Sequence, residues 1–254
     1  MDSAASETSI IALHEWLQSP AGAYVRAFEQ ECLDALTADI FGFHAVQIGL
    51  PQIDALRANR MPHKWLAVSA PVARAPDSGQ RAHELVLDFE ELPFPSQSLD
   101  LVVLPHVLEF AAEPHQVLRE VERVLIPEGQ LIICGFNPAS LWGLRQGWGR
   151  ITRSPYLPVE GEFISMLRMK DWLKLLNLGV SRSHFGCYAP PMRSSHWLER
   201  FAFLESAGQR WWSPLGAVYI VQAVNRVKGM KLIGPAWSRS TASKGAALPV
   251  TNRK

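Results

Sequence analysis

His106 is the residue of this chain best placed by type and position for acid-base chemistry. It directly follows the apolar run Leu99 to Leu104, and an imidazole with an unperturbed pKa of about 6.5 can accept a proton at neutral pH. A histidine that only packs against its neighbours is the alternative. A second chemistry-bearing stretch spans Asn137 to Gly161, where Trp142, Arg145, Trp148, Arg150, Arg153 and Tyr156 interleave aromatic rings with guanidinium groups. That mixture suits a lid over a substrate, a surface for anionic lipid, a platform for single-stranded RNA bases, or a plain packed loop. Asn137-Pro138 reads as a turn. His184-x-x-Cys187 is an isolated pair without matching ligands at zinc spacing, so no metal is expected. The chain has no Gly-x-x-x-x-Gly-Lys phosphate loop, no Gly-x-Ser-x-Gly elbow and no His-Glu-x-x-His, which leaves phosphoryl transfer, serine hydrolysis and zinc proteolysis unsupported.

These residues need elements to hold them. His44 to Leu50, Lys64 to Ser69, Leu85 to Asp88, Leu99 to Leu104 and Gln130 to Phe136 are short apolar runs of the kind buried in parallel sheets. Val180 to Tyr188 and Ala217 to Asn225 are candidate last strands. Helices are expected over Ile10 to Leu17 and over Tyr24 to Thr37, where Val25, Phe28, Cys32, Leu33 and Leu36 recur with glutamates between them. A polar helical stretch is expected between the first two strands and a turn-rich insertion from Ala70 to Gln80. Pro114 opens a helix with the stripe Val117, Leu118, Val121, Val124 and Leu125, proline being tolerated where its missing N–H would have no partner. Phe163 to Leu178 and Trp197 to Ser206 are further helices, and Asn137 to Gly161 breaks the pattern into a loop. Strand, helix, strand in repetition implies right-handed crossovers and a parallel sheet covered on both faces. On that reading His106 lies at the carboxyl edge of the sheet, where such folds place ligands.

At 254 residues the chain suits one α/β domain with additions rather than two full domains. A formal charge of +1 gives no whole-molecule attraction to nucleic acid or anionic lipid. The three cysteines, Cys32, Cys134 and Cys187, are few and far apart, as a reducing, cytoplasmic compartment permits. No apolar stretch reaches the roughly 18 residues needed to span a bilayer, and no basic-then-apolar leader opens the sequence. From Arg226 onward the chain carries seven basic residues and no acid. This tail is expected to be disordered and could touch nucleic acid weakly, through phosphate neutralisation.

The stretch LPFPSQSLDLVVLPHVLEFAAEPHQVLREVERVLIPEGQLIICGFNP closely resembles the type 11 methyltransferase domain of the class I superfamily. There the corresponding segment is a fourth strand, a helix, a turn and a fifth strand. The resemblance implies a doubly wound, mostly parallel, seven-stranded Rossmann-like sheet with helices on both faces. It divides the chain into an N-terminal helical segment (1–42), a methyltransferase-like domain (43–225, with 137–161 inserted) and the tail (226–254). It also implies S-adenosyl-L-methionine as cofactor. Relatives carry an acid and three glycines after the first strand; here the loop is Gln47-Ile48-Gly49-Leu50-Pro51, with one glycine kept and an amide for the acid. Ser69 stands where an acid usually takes the ribose hydroxyls, and Asp88, with Phe89 beside it, matches the position facing the adenine.

The resemblance therefore implies Gln47, Gly49, Ser69, Asp88 and Phe89 around the cofactor, and His106, from its place after the fourth strand, is the candidate catalytic base. A sulfonium methyl is already activated, so few side chains are mandatory, and the acceptor cannot be read from them. The leading expectation is methyl transfer to an unidentified acceptor. A methyltransferase-fold protein without catalysis, serving as a binding or scaffold module, is the alternative that the altered glycine loop raises, and an RNA-modifying methyltransferase is a third.

Overall fold

Two apolar layers separated by a sheet organise the chain. The computed structural model describes residues 12–69, 83–152, 156–157, 161–192 and 194–226. Its strands are β1 (His44–Ile48), β2 (His63–Val68), β3 (His83–Val86), β4 (Leu99–Pro105), β5 (Leu125–Phe136), β6 (Leu178–Gly186) and β7 (Val218–Asn225). They form one seven-stranded sheet in the order β3-β2-β1-β4-β5-β7-β6. The first five strands run parallel, and β7 is antiparallel to both β5 and β6. The expected mostly parallel, doubly wound sheet is thus observed.

Each strand sends alternate side chains to opposite faces. On one face Ala45, Leu101, Val103, Ile132, Cys134 and Ile220 pack under Leu13, Leu17, Val25 and Leu33. These last come from a short helical segment over residues 12–16 and the turn that follows it, and from helix α1 (Pro20–Thr37). On the other face Val46, Ile48, Val102, Leu104, Ile133 and Val221 meet α2 (Pro114–Val124) through Val117, Leu118 and Val121, and α4 (Met166–Leu175) through Met169 and Leu173. Helix α1 starts where it does because Ser19 caps it, accepting from the Gly22 N–H at 3.1 Å, with Pro20 in the first turn.

Four details depart from expectation. Glu29, expected on the wet side of α1, is wholly buried, because Val25, Glu29 and Leu33 recur every four residues on one face. Residues 51–61, expected as a polar helix, are turns. Pro51 interrupts them, and their backbone is held by side chains from outside: Gln30 Oε1 accepts from the Asp54 N–H, and Lys64 Nζ donates to the Leu56 carbonyl at 3.0 Å. Asn137 to Gly161, expected as a loop, contains helix α3 (Leu141–Ile151), capped by Ser140, which accepts from the Gly143 N–H. Three interior glycines, Gly143, Gly147 and Gly149, and an unusual distribution of apolar residues disguise it. Finally, the helix expected over Trp197 to Ser206 is two helices, α5 (Ser195–Arg200) and α6 (Phe203–Trp211). The turn-rich insertion after Ser69 and the basic tail from residue 227 lie outside the described residues.

Trp142 anchors α3. Its ring is buried against Trp16, Tyr24 and Tyr156, and its indole N–H donates to the Ala189 carbonyl at 2.7 Å. Trp142→Ala should lower stability by about 3–5 kcal/mol through the cavity and the orphaned carbonyl, read as a reduced urea midpoint in far-ultraviolet circular dichroism.

Candidate functional site at the carboxyl edge of the sheet

The register of the parallel strands brings Gly49, Ser69 and Asp88 out past the ends of β1, β2 and β3 at one edge of the sheet, stepped by one residue from each strand to the next. Ile48 lies opposite Ala67 and Val68 opposite Val86, so the residues that follow β1, β2 and β3 emerge together at the carboxyl edge. Gly49 turns the chain there with φ +79°, its N–H donating to the Ala67 carbonyl at 2.7 Å. A Cβ on Gly49 would sit 2.7 Å from Val107 Cγ2, so the position excludes a side chain by space as well as by backbone conformation. Ser69 is half-buried just past β2. Asp88 is exposed past β3, one carboxylate oxygen accepting from the Glu90 N–H at 2.9 Å.

Gln47 and Phe89 are placed differently. The Gln47 amide donates to the carbonyls of Leu50 and Ile53, at 3.0 and 2.7 Å, and its oxygen accepts from the Ala55 N–H at 2.9 Å. The carboxamide thereby folds the post-β1 loop back on itself, with Leu50 and Ile53 buried beneath it. Phe89 is buried in the α2-side core that contains Leu92 and Leu99. Of the five residues expected around a cofactor, Gly49, Ser69 and Asp88 share the edge, while Gln47 and Phe89 face inward.

His106 follows β4 at the same edge, in a left-handed backbone conformation (φ +53°) fixed by its N–H donating to the Cys134 carbonyl. Both ring nitrogens are engaged. Nε2 lies 2.6 Å from Glu29 Oε1 and Nδ1 lies 2.8 Å from Glu109 Oε2. The other Glu109 oxygen accepts from the Phe136 N–H. The imidazole, which also lies against the Phe136 ring, has no exposed side-chain surface. Burial alone would lower its pKa, but the two carboxylates outweigh burial and raise it to about 10. Burial also pushes the Glu109 carboxyl above its ordinary range, against the pull of His106. The second oxygen of Glu29 has no hydrogen-bond partner among the described residues. At neutral pH His106 is therefore protonated, and with each ring nitrogen held by a glutamate it has no lone pair open to a substrate proton.

Glu29 and Glu109 were not singled out from sequence as site residues. Glu29 could have been found from its place in the every-fourth-residue stripe of α1. Its pairing with a histidine 77 positions away in sequence has no local signal.

A separate cavity of about 460 Å³ lies between α1, β6 and α6, lined by Tyr24, Phe28, Cys32, Arg182, His184 and Glu205 among others. Its Tyr24 hydroxyl donates to Glu205 at 2.5 Å, and burial together with nearby glutamates pushes the Cys32 thiol up to about 11, the reverse of an activated nucleophile.

Residues 67–133 match a family model described as a methyltransferase domain. The chain is 32% identical over 180 residues to YafS, an uncharacterized protein of Escherichia coli, covering 69% of this chain and 70% of that one. It is 30% identical over 153 residues to a malonyl-[acyl-carrier protein] O-methyltransferase of Alcanivorax borkumensis, covering 57% of this chain but only 50% of that protein. Among solved structures, a Haloferax volcanii chain from a complex with the Trm112 methyltransferase activator superposes with a TM-score of 0.61 at 17% identity, covering 86% of this chain and 98% of that one. A SAM-dependent methyltransferase of Archaeoglobus fulgidus gives 0.53 at 15% identity, over 78% and 94% of the two chains.

The His106 cluster makes stability depend on pH with a defined sign. Its folded pKa is raised, so its contribution is complete below the unfolded value of about 6.5 and is lost as pH rises toward about 10. Urea midpoints should fall across that window, and His106→Ala should flatten the decline while costing about 3–5 kcal/mol at pH 6 by leaving buried carboxylates uncompensated.

Proposed function

The chain belongs to the class I, S-adenosylmethionine-dependent methyltransferase family, and we propose that it is a working member whose acceptor arrives already deprotonated at neutral pH. The observation that carries this reading is that Gly49, Ser69 and Asp88 emerge at one edge of the sheet, the edge at which His106 has both ring nitrogens engaged. When bound, S-adenosylmethionine supplies an activated sulfonium methyl, which leaves the protein to orient and to exclude water.

The edge residues fit the nucleoside end of that cofactor. Gly49 offers a backbone turn with no side chain in the way, and Ser69 and Asp88 would hold the ribose hydroxyls and the adenine amino group. At the methionyl end the loop is shaped by the Gln47 carboxamide, with Pro51 and Ile53 where relatives carry glycine. Its neutral amide donates to loop carbonyls, which a carboxylate cannot do.

His106 serves as a positioning residue in this reading, tying α1 to the end of β4, and not as a base. An acceptor whose nucleophile is a carboxylate needs no base, since a carboxyl is ionised well below neutrality. That chemistry agrees with the relatives named malonyl-[acyl-carrier protein] O-methyltransferase, and a carboxylate-bearing acceptor is accordingly our first choice. The competing reading, a binding module without catalysis, draws on Pro51 and the buried Ile53. An RNA acceptor has the basic tail in its favour.

Isothermal titration with S-adenosylmethionine and S-adenosylhomocysteine tests the reading. Binding is expected, weakened at least about tenfold by Gly49→Val, a loss of about 1.4 kcal/mol. No binding at millimolar ligand would leave the binding-module reading standing. With a carboxylate acceptor, label transfer from methyl-labelled cofactor should be flat between about pH 6 and 8, because neither acceptor nor His106 titrates there. A rise with a midpoint near neutrality would point instead to a base that must lose a proton.

A further inference from the structure

Helix α3 is apolar on the side that faces away from the protein. Its inward face is Trp142, Gln146 and Gly149. On the outward side Leu141, Leu144, Trp148 and Ile151 are 55%, 65%, 63% and 79% exposed. At 100° per residue these four fall within an arc of about 80°, roughly opposite the buried face. Arg145 and Arg150 flank the buried face, one on each side, and the helix contains no acid. A surface helix ordinarily turns its polar residues outward; this one turns leucine, tryptophan and isoleucine outward and keeps its charges lateral.

A second apolar group adjoins it. Asn137, three residues before the Ser140 cap, donates from Nδ2 to the carbonyls of Pro214 and Gly216 at 2.8 and 2.9 Å. This holds the 211–215 turn beside the start of α3, and there Trp211, Trp212 and Leu215 are exposed at 73%, 52% and 49%. Residues 210–216 add Arg210 and again no acid.

We propose that α3 and the adjoining 211–215 turn form a docking face for a lipid bilayer with anionic headgroups, with α3 lying in the plane of the interface. The composition fits that partner: a leucine and tryptophan stripe enters the acyl boundary, while Arg145 beside the stripe and Arg210 by the adjoining turn reach phosphate. Arg150, on the far flank, donates instead to the Gly161 carbonyl. Charge argues against a second copy of the chain as occupant, since a twofold pairing of this face would bring Arg145 and Arg210 of both copies together with no acid on α3 or in residues 210–216. No helix among the described residues is long and apolar enough to cross a membrane, so the association would be peripheral.

Co-sedimentation of the full chain with vesicles tests this. At low salt it should pellet with phosphatidylcholine vesicles containing about 30 mol% phosphatidylglycerol, much less with phosphatidylcholine alone, and less again as salt is raised. The double variant Leu144→Glu/Trp148→Glu changes only exposed positions and should bind at least about tenfold more weakly with an unchanged thermal midpoint. Arg145→Glu, which leaves the stripe intact, should reduce binding to the anionic vesicles specifically. A chain lacking residues 227–254 should still bind and still respond to the double variant. The proposal is overturned if the full chain stays in the supernatant at low salt, if the double variant binds like the parent, or if only the tail deletion removes binding. It is equally overturned if light scattering finds a dimer that the double variant dissociates, because the face is then taken by a second copy.

Discussion

The contact on which much of this structure depends is the buried cluster of Glu29, His106 and Glu109, an imidazolium held between two glutamates. Three ionisable groups without solvent are tolerated only when they compensate one another, and each comes from a different place: the middle of α1, the turn after β4, and the segment leading toward α2. Satisfying the cluster therefore fixes the N-terminal helix against the sheet, holds His106 in its left-handed turn, and draws the end of β5 in through the Phe136 N–H. The apolar contacts of α1 supply most of the attraction between helix and sheet. The charges supply register, since moving α1 by a single residue would leave a buried imidazolium facing hydrocarbon.

The same logic of internal satisfaction governs the post-β1 loop. Relatives place an acid at the position of Gln47 and let glycines shape the turn. Here a neutral amide makes hydrogen bonds to four loop residues, and one left-handed glycine suffices for the tight point. The loop can then carry Pro51 and a buried Ile53, so a weakened sequence motif coexists with an ordered backbone at the edge where the ligand is expected.

How much of this could be read from the sequence follows from where the information lies. The central strands β1, β4, β5 and β7 were legible as short apolar runs, because a strand buried on both faces has no choice of composition. The exposed edge strands β3 and β6 carried a weaker signal, and α2 was legible because its stripe and its opening proline are local. Gly49, Ser69 and Asp88 could be placed at one edge because each immediately follows a strand. Three things were not legible. Glu29 looked like one of several surface glutamates on α1, since its partner is distant in sequence. Residues 51–61 looked helical by polarity, but their backbone is held by Gln30, Gln47 and Lys64. Helix α3 looked like a loop because its outward residues are apolar, and periodicity detects a helix only when one side is wet.

The antiparallel direction of β7 has a spatial consequence. The strand begins opposite Phe136 at the carboxyl edge and finishes with Asn225 opposite Leu178, its amide reaching the Leu125 carbonyl at the other end of the sheet. Eight residues of strand at about 3.3 Å each put roughly 25 Å between those ends. The strand therefore leaves Arg226 at the amino edge of the sheet. Arg226 and the edge that carries Gly49, Ser69 and Asp88 thus stand a full sheet's height apart.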